Sequence, residues 1–192
     1  MKHDEQSRQT KQALSLALKR LMEDKPLNKI TLQELVEECG VNRKTFYYHF
    51  EDIYALLKWT LEQEAISLFD KYDLINEHSQ AIEFALDYIE SNLSMLQNIV
   101  HSIGGTEIRR FFFNDIYEPM HRLVCTVAQT HRIHAPESYK AFLSRFLTEA
   151  IAGILMDCIE RDALANRARL SDYITSTLIA SIPNALQSAA DV

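Results

Sequence analysis

The side chains best suited to chemistry lie in one run, residues 31–50, TLQELVEECGVNRKTFYYHF. Arg43, Lys44, Thr45, Tyr47 and Tyr48 crowd around the apolar Phe46 and Phe50, which are four apart and share one helix face. Burying the two phenylalanines turns the other five outward, and two tyrosines make poor solvent residues. Guanidinium, ammonium and hydroxyl groups at this density suit phosphate oxygens and base edges in a major groove. An ordinary small helix with a partly polar face would contain the same residues. Helix pairs also occur in bundles that bind nothing, so residue types alone leave both readings open.

No other constellation competes. His131 and His134 are two imidazoles three apart, but no cysteine or carboxylate stands at a zinc spacing, and exposed histidines near a helix end are the plainer reading. Glu37-Glu38 and Asp157-Glu160 read as solvated faces and not as acid–base dyads. Ser102 and Ser144 lack a nucleophile-elbow context. Gly104-Gly105 is the one glycine pair among four glycines, and neither GxGxxG nor GxxxxGKS occurs. We expect no enzyme, no metal and no cofactor.

The elements that would position residues 31–50 are helical. Ala13, Leu14, Ala17, Leu18 and Leu21 form a stripe over 7–22, and Pro26 stops it. Thr31 and Glu34 make a capping-box pattern, which opens a helix that turns Leu32, Leu35 and Val36 inward. Gly40 follows where a left-handed helix-ending residue is needed, and Asn42 is a good N-cap for the next helix. Two short helices meeting at Gly40-Val41 have the layout of a helix-turn-helix. A longer helix over 52–71 keeps Ile53, Leu56, Leu57, Thr60, Leu61, Glu64 and Leu68 in register. Further helices are predicted at about 79–100, 106–133 (interrupted near Pro119), 137–163 and 171–187, with Pro183 kinking or ending the last. The chain reads as all-α, with about nine helices: a domain over 1–52 and a larger helical domain over 53–192.

Its 192 residues hold 20 Lys plus Arg against 27 Asp plus Glu, a net charge of −7 that at first argues against a nucleic-acid partner. The charge is unevenly spread. Residues 1–60 hold 10 basic and 9 acidic side chains, net +1, and residues 61–192 hold 10 and 18, net −8. Attraction to phosphate would then be local to Lys2, Arg8, Lys11, Lys29, Arg43 and Lys44. No apolar run approaches the roughly 20 residues of a membrane span. The polar N-terminus has no signal-peptide core, and Cys39, Cys125 and Cys158 read as small buried residues in a reducing compartment. We expect a cytoplasmic protein that does not engage membranes.

From about Thr10 to Trp59 the chain resembles the N-terminal domain of TetR/AcrR-type transcriptional regulators. The likeness lies in Lys25-Pro26, Ile30-Thr31, Gly40-Val41, Thr45-Phe46-Tyr47 and His49-Phe50 at fixed spacing. It implies a recognition helix over 42–49, Asn42 to His49, with Tyr47 and His49 on phosphates and Arg43, Lys44, Thr45 and Tyr48 nearer bases or backbone. Thr31 would meet phosphate through its hydroxyl and amide. The chain departs from the pattern at Lys44, where a small residue is common, and at Glu51-Asp52, where a lysine is common. The resemblance therefore carries no phosphate contact to the start of the following helix. The stretch NRKTFYYHFEDIYALLKW resembles a subgroup from low-GC Gram-positive bacteria that includes regulators linked to dihydroxyacetone kinase, some of which respond through a protein coactivator.

The resemblance further implies a homodimer on a palindromic double-stranded DNA operator, repression as the default, and an effector, small molecule or protein, at the C-terminal domain. A dimer interface is expected at Tyr139, Phe142, Leu143, Ala150, Gly153, Ile154, Leu178 and Ile182. Trp59, Phe84, Tyr88, Met95, Phe112, Phe113, Tyr117, Met120, His121 and Phe146 are candidate pocket lining, although aromatics at helical spacing are more often plain core. Arg109-Arg110 could meet an acidic ligand or simply face solvent. The alternative throughout is an all-helical protein-interaction module, or a coactivator-dependent activator without a small-molecule ligand.

Overall fold

The computed structural model describes residues 2–71, 77–161 and 167–190. Among these residues the chain is all-α: α1 Lys2–Asp24, a 3-10 turn at Leu27–Lys29, α2 Leu32–Cys39, α3 Arg43–His49, α4 Ile53–Lys71, α5 His78–Ser91, α6 Leu93–Ile103, α7 Gly105–Thr130, α8 Glu137–Arg161 and α9 Arg167–Ala190. None of these helices is long and apolar enough to cross a membrane. The side chains of Lys2, Glu64 and Leu68, named above, lie outside the described residues.

The helices form two compact units. The first comprises residues 1–65 and 94–104, and the second 66–93 and 105–192. The first therefore reaches past residue 52, through the early part of α4, and also takes in α6. In it α1 buries Leu14, Ala17, Leu18 and Met22, while Ala13 of the expected stripe faces solvent. Leu35 and Val36 of α2, Phe46 of α3, Leu56 and Leu57 of α4, and Leu96 and Ile99 of α6 complete that core. Asn98 Nδ2 donates to the Met22 carbonyl at 2.9 Å, which ties α6 to the otherwise open C-terminus of α1.

In the second unit α7, α8 and α9 bury Met120, Val124, Leu143, Leu147, Ile174, Leu178, Ile182 and Leu186 together. α5 joins α9 through Arg167, whose Nη1 meets both Asp87 and Glu90. Three details differ from the sequence expectation. The helix over 79–100 is two helices, broken where the Asn92 side-chain amide takes the Tyr88 carbonyl at 2.8 Å. α7 and α9 run on through Pro119 and Pro183. An interior proline costs about 3 kcal/mol, but Met120 and Val124 beyond the first, and Ile182 and Leu186 around the second, are buried on those same helices. Their burial offsets the lost hydrogen bond.

The turn that sets α3 is made locally. Thr31 Oγ1 accepts from the Glu34 amide at 3.3 Å, and the Glu34 carboxylate accepts from the Thr31 amide at 2.9 Å and hydroxyl at 2.8 Å, a complete capping box. Lys25 Nζ donates to the other Glu34 oxygen at 2.5 Å. α2 ends with Gly40 at φ 71°, where the Val41 amide reaches the Val36 carbonyl at 3.0 Å and the Gly40 amide reaches that of Glu37 at 3.1 Å. Asn42 Oδ1 then caps α3, accepting from the Thr45 amide at 2.8 Å.

Two outcomes are expected. A Cβ at Gly40 would meet no atom within 4 Å, so Gly40→Ala should cost backbone strain alone. A urea melt should show about 1–2 kcal/mol lost with an unchanged slope. The Lys25 bond, then those from Thr31, hold the Glu34 carboxyl at a pKa of about 2, below its ordinary 4.5. A depressed carboxylate contributes stability above pH 4.5 and loses it as pH falls toward 2. The exposure of the pair keeps the effect small. Glu34→Gln should flatten the stability profile in that acid window and nowhere else, as read by denaturation at a series of pH values.

Candidate nucleic-acid interface

α3 is only seven residues long, too short to hold itself together in water. Phe46 is fully buried, Phe50 nearly so, and their ring centroids lie 6.0 Å apart. Phe50 in turn packs on Trp59 at 5.8 Å, and the Lys11 ammonium sits over both rings. With that face pinned, the opposite face is fixed in direction. Tyr47 is 60% exposed and Tyr48 68%. Asn42, Arg43 and Lys44 are exposed, and Thr45 and His49 are half-buried.

Arg43, Asn42, Thr45, His49 and Thr31 each have a definite attachment. Arg43 Nε donates to Gln33 Oε1 at 3.1 Å, and Gln33 Nε2 donates onward to Glu37, so α2 holds the guanidinium from behind. Asn42 is committed to its cap and also accepts from the Thr45 hydroxyl at 3.1 Å. His49 lies 3.5 Å from Ser7 Oγ of α1 through Nδ1 and meets the Tyr48 ring edge-on at 4.9 Å. Thr31 is exposed at the start of α2 with both its donors on Glu34.

Charge pairing separates α3 from its surroundings. Arg8 meets Glu5 at 3.8 Å, Arg20 meets Glu38 at 3.3 Å, Lys25 meets Glu34, and Lys58 meets Glu62 at 3.8 Å. Among the described residues no carboxylate pairs with Arg43 or Lys44. Residues 1–65 hold 10 basic and 11 acidic side chains, and 94–104 hold none of either, so this unit carries −1. The unit is therefore not net positive, and Arg43 and Lys44 present their charge locally on α3. Gln33, Ser7 and Lys11 were not legible as supports of that surface, because each acts across a helix boundary. Arg43 and Gln33, ten apart, would have been the signal only with the helix-turn-helix geometry already in hand.

The ten aromatic, Met and His positions fall in both units. Trp59 and Met95 belong to the first. In the second, Met120 is core, Phe84, Tyr88 and Phe112 are half-buried, and Phe113, Tyr117 and His121 stack in a column at 5.7 and 5.9 Å. Phe146 is 60% exposed and stacks at 6.2 Å on Phe142, itself 59% exposed. Of the eight residues expected at a dimer contact, Leu143, Leu178 and Ile182 lie in this chain's own core. Phe142 and Ala150 are exposed, and Tyr139, Gly153 and Ile154 are half-buried. Tyr173 and Ile179 of α9 are also exposed; Tyr173 stood outside the apolar stripe and carried no signal in the sequence. His131 and His134 are exposed beyond the end of α7, and among the described residues no three His, Cys, Asp or Glu side chains gather as a metal site.

Residues 16–58 match the family model described as bacterial regulatory proteins, tetR family, and residues 76–180 match the transcriptional regulator C-terminal region. The chain is similar to the HTH-type dhaKLM operon transcriptional activator DhaS of Lactococcus lactis subsp. lactis (strain IL1403), 22% identical over 174 residues and 90% of each chain. Among solved structures it is similar to the dihydroxyacetone kinase operon activator DhaS, with a TM-score of 0.73, 22% identity, and coverage of 90% of this chain and 96% of that one. It is also similar to NalD, the secondary repressor of the MexAB-OprM multidrug efflux pump in Pseudomonas aeruginosa, with a TM-score of 0.59, 19% identity, and coverage of 91% and 96%. The C-terminal model alone covers more than half of the sequence and the N-terminal model falls on the helix-turn-helix: the chain belongs to the TetR family of bacterial transcriptional regulators.

Proposed function

We propose that this DNA-binding regulator reads a palindromic operator through Arg43, Lys44, Thr45, Tyr47, Tyr48 and His49, with Asn42 fixing the helix start and Thr31 at an adjacent phosphate. The observation that carries the reading is the guanidinium and ammonium of α3, exposed and unneutralised beside two exposed tyrosines, while Arg8, Arg20, Lys25 and Lys58 of the same unit are ion-paired. Two copies of so short a reading helix, held about 34–36 Å apart by two-fold symmetry, would span successive major grooves. The exposed Phe142–Phe146 pair on α8, with Tyr173 and Ile179 on α9, supports a homodimer in which these faces meet. An effector, small molecule or protein, held by the second unit would act by favouring one helix separation over another, with a typical coupling of about 1–3 kcal/mol. The protein works in the cytoplasm, where the operator is.

Repression is the proposed sign, since an occupied operator that overlaps a promoter excludes polymerase without further contacts. Activation, the role that DhaS bears in its name, is the second reading. A reporter behind the promoter of the regulator's own gene separates them: deleting the gene should raise expression under the first and lower it under the second. A protein-binding role for the α3 face is favoured by the two exposed tyrosines. It predicts flat salt dependence, whereas six phosphate contacts should cost on the order of 10³-fold in affinity between 50 and 200 mM salt.

Lys44→Ala and Tyr47→Ala should each weaken operator binding, on the order of tenfold, with helicity and assembly state unchanged; retention of binding in both variants would exclude α3 as the reading helix. Phe142→Asp with Phe146→Asp should give a folded monomer in sedimentation that binds a full operator poorly. Because the chain carries a net charge of −7, random DNA should bind at least ~10³-fold more weakly than operator at 150 mM salt.

A further inference from the structure

A hydrogen-bonded chain on the α7–α8 seam ends on a cysteine. Ser144 is fully buried, and its hydroxyl donates to the Lys140 carbonyl at 2.7 Å. That bond uses the one hydroxyl proton, so the 3.1 Å contact between Ser144 Oγ and His121 Nδ1 requires the imidazole to donate from Nδ1. In the neutral ring Nε2 then carries the lone pair. Nε2 lies 3.7 Å from Cys125 Sγ, one helical turn along α7, within reach of the S–H proton. The order is nucleophile, base and orienting hydroxyl, each within hydrogen-bonding distance of the next.

Among the described residues the other thiols have no such partner. Burial, and then the Glu38 charge, push the Cys39 thiol up; burial, and then Asp157, do the same to Cys158, which is inaccessible. Cys125 and His121 both keep partial exposure. On the far side of the imidazole the rings of His121, Tyr117 and Phe113 lie nearly parallel in succession, at 6° and 21°, and Arg145 covers Phe113 at 5.6 Å. One turn beyond Ser144 on α8, Thr148 is fully buried and its hydroxyl has no partner among the described residues, an uncommon state that suits a polar ligand atom. A soft nucleophile with a poised base, beside a flat aromatic column, fits a small, flat, conjugated electrophile.

We propose that Cys125, with His121 as its base and Ser144 as the positioning residue, is a covalent modification site for small α,β-unsaturated carbonyl compounds. Sulfur attacks the β-carbon, a C–S bond forms, and the C=C pair moves onto the carbonyl oxygen as an enolate. The thiol proton passes to His121 Nε2 and from there to the α-carbon. The adduct is the sum of thiol and acceptor, and no oxidant is consumed. The proposal rests on the second unit alone and holds whether or not α3 reads DNA.

The test uses the full chain and N-ethylmaleimide, a small unsaturated carbonyl reagent, with sites and rates read by peptide mass spectrometry. Cys125 should be labelled first. His121→Gln should slow it by at least about tenfold, toward the ~10²-fold that a positioned general base commonly supplies, and leave the Cys39 rate unchanged as an internal control of folding. Ser144→Ala should slow Cys125 in the same sense, and ¹⁵N spectra should show the Nδ1–H tautomer of His121 in the parent protein and its loss in this variant, a signature that a packing defect alone would not move. If His121→Gln does not fold, Ser144→Ala decides by the same two readouts. Labelling of Cys39 as fast as Cys125, an unchanged Cys125 rate in either variant, or an Nε2–H tautomer in the parent protein would overturn the assignment.

Discussion

The burial of one ring, Phe46, is the constraint on which the reading surface depends. Seven residues cannot nucleate a stable helix in water, so α3 exists because tertiary contacts and caps supply what its length cannot. Phe46 gives it a buried face, Asn42 satisfies an open amide at its start, and Gly40 sets the direction of entry. Remove the ring and the outward residues keep their chemistry but lose their common direction. Since recognition in a groove depends on direction as much as on charge, α3 is best regarded as part of the packing of α1 and α2 and not as an independent ligand-binding peptide.

Charge is organised on the same principle, locally and by subtraction. The folded first unit, at −1, is not net basic, and Arg8, Arg20, Lys25 and Lys58 are each spent on a neighbouring carboxylate. What distinguishes α3 is that Arg43 is held by a neutral group, the Gln33 carbonyl oxygen, with Glu37 one step removed. A neutral acceptor orients a guanidinium without cancelling its charge. Net charge over a segment, whether −7 for the chain or +1 for its first 60 residues, therefore carries little information about where an anion would bind. Pairing decides it.

The same distinction explains what could be read in advance. The Thr31–Glu34 capping box, Gly40, Asn42 and the Phe46–Phe50 face were legible because each acts over four residues or fewer. The break at Asn92 was not, since an asparagine inside an apolar stripe ends a helix only when its side chain takes the Tyr88 carbonyl. Just past the end of α7 the chain turns at Arg132, φ 55°, with the Ile133 amide on the Ala128 carbonyl, a terminus that no glycine announced. Pro119 and Pro183 misled in the opposite sense, because burial on either side outweighed a local penalty. On α8 and α9 the apolar stripe is wider than one face, and periodicity alone could not say that Leu143 and Leu178 turn into the subunit while Phe142 and Ile179 turn out.

The start of α2 shows how far a sequence pattern can be from a binding energy. Thr31 offers an amide and a hydroxyl at a helix N-terminus, where an anion is favoured, and both already donate to the Glu34 carboxylate, which Lys25 also holds. A phosphate approaching Thr31 would have to exchange with a carboxylate already held by Lys25 and by both Thr31 donors. Exchange of one oxyanion for another gains little, because the donors are satisfied before and after. Affinity must then come from groups whose charge is not already answered. On the reading helix those are Arg43 and Lys44, so the capping box fixes the geometry of entry into α3 while α3 supplies charge that no carboxylate answers.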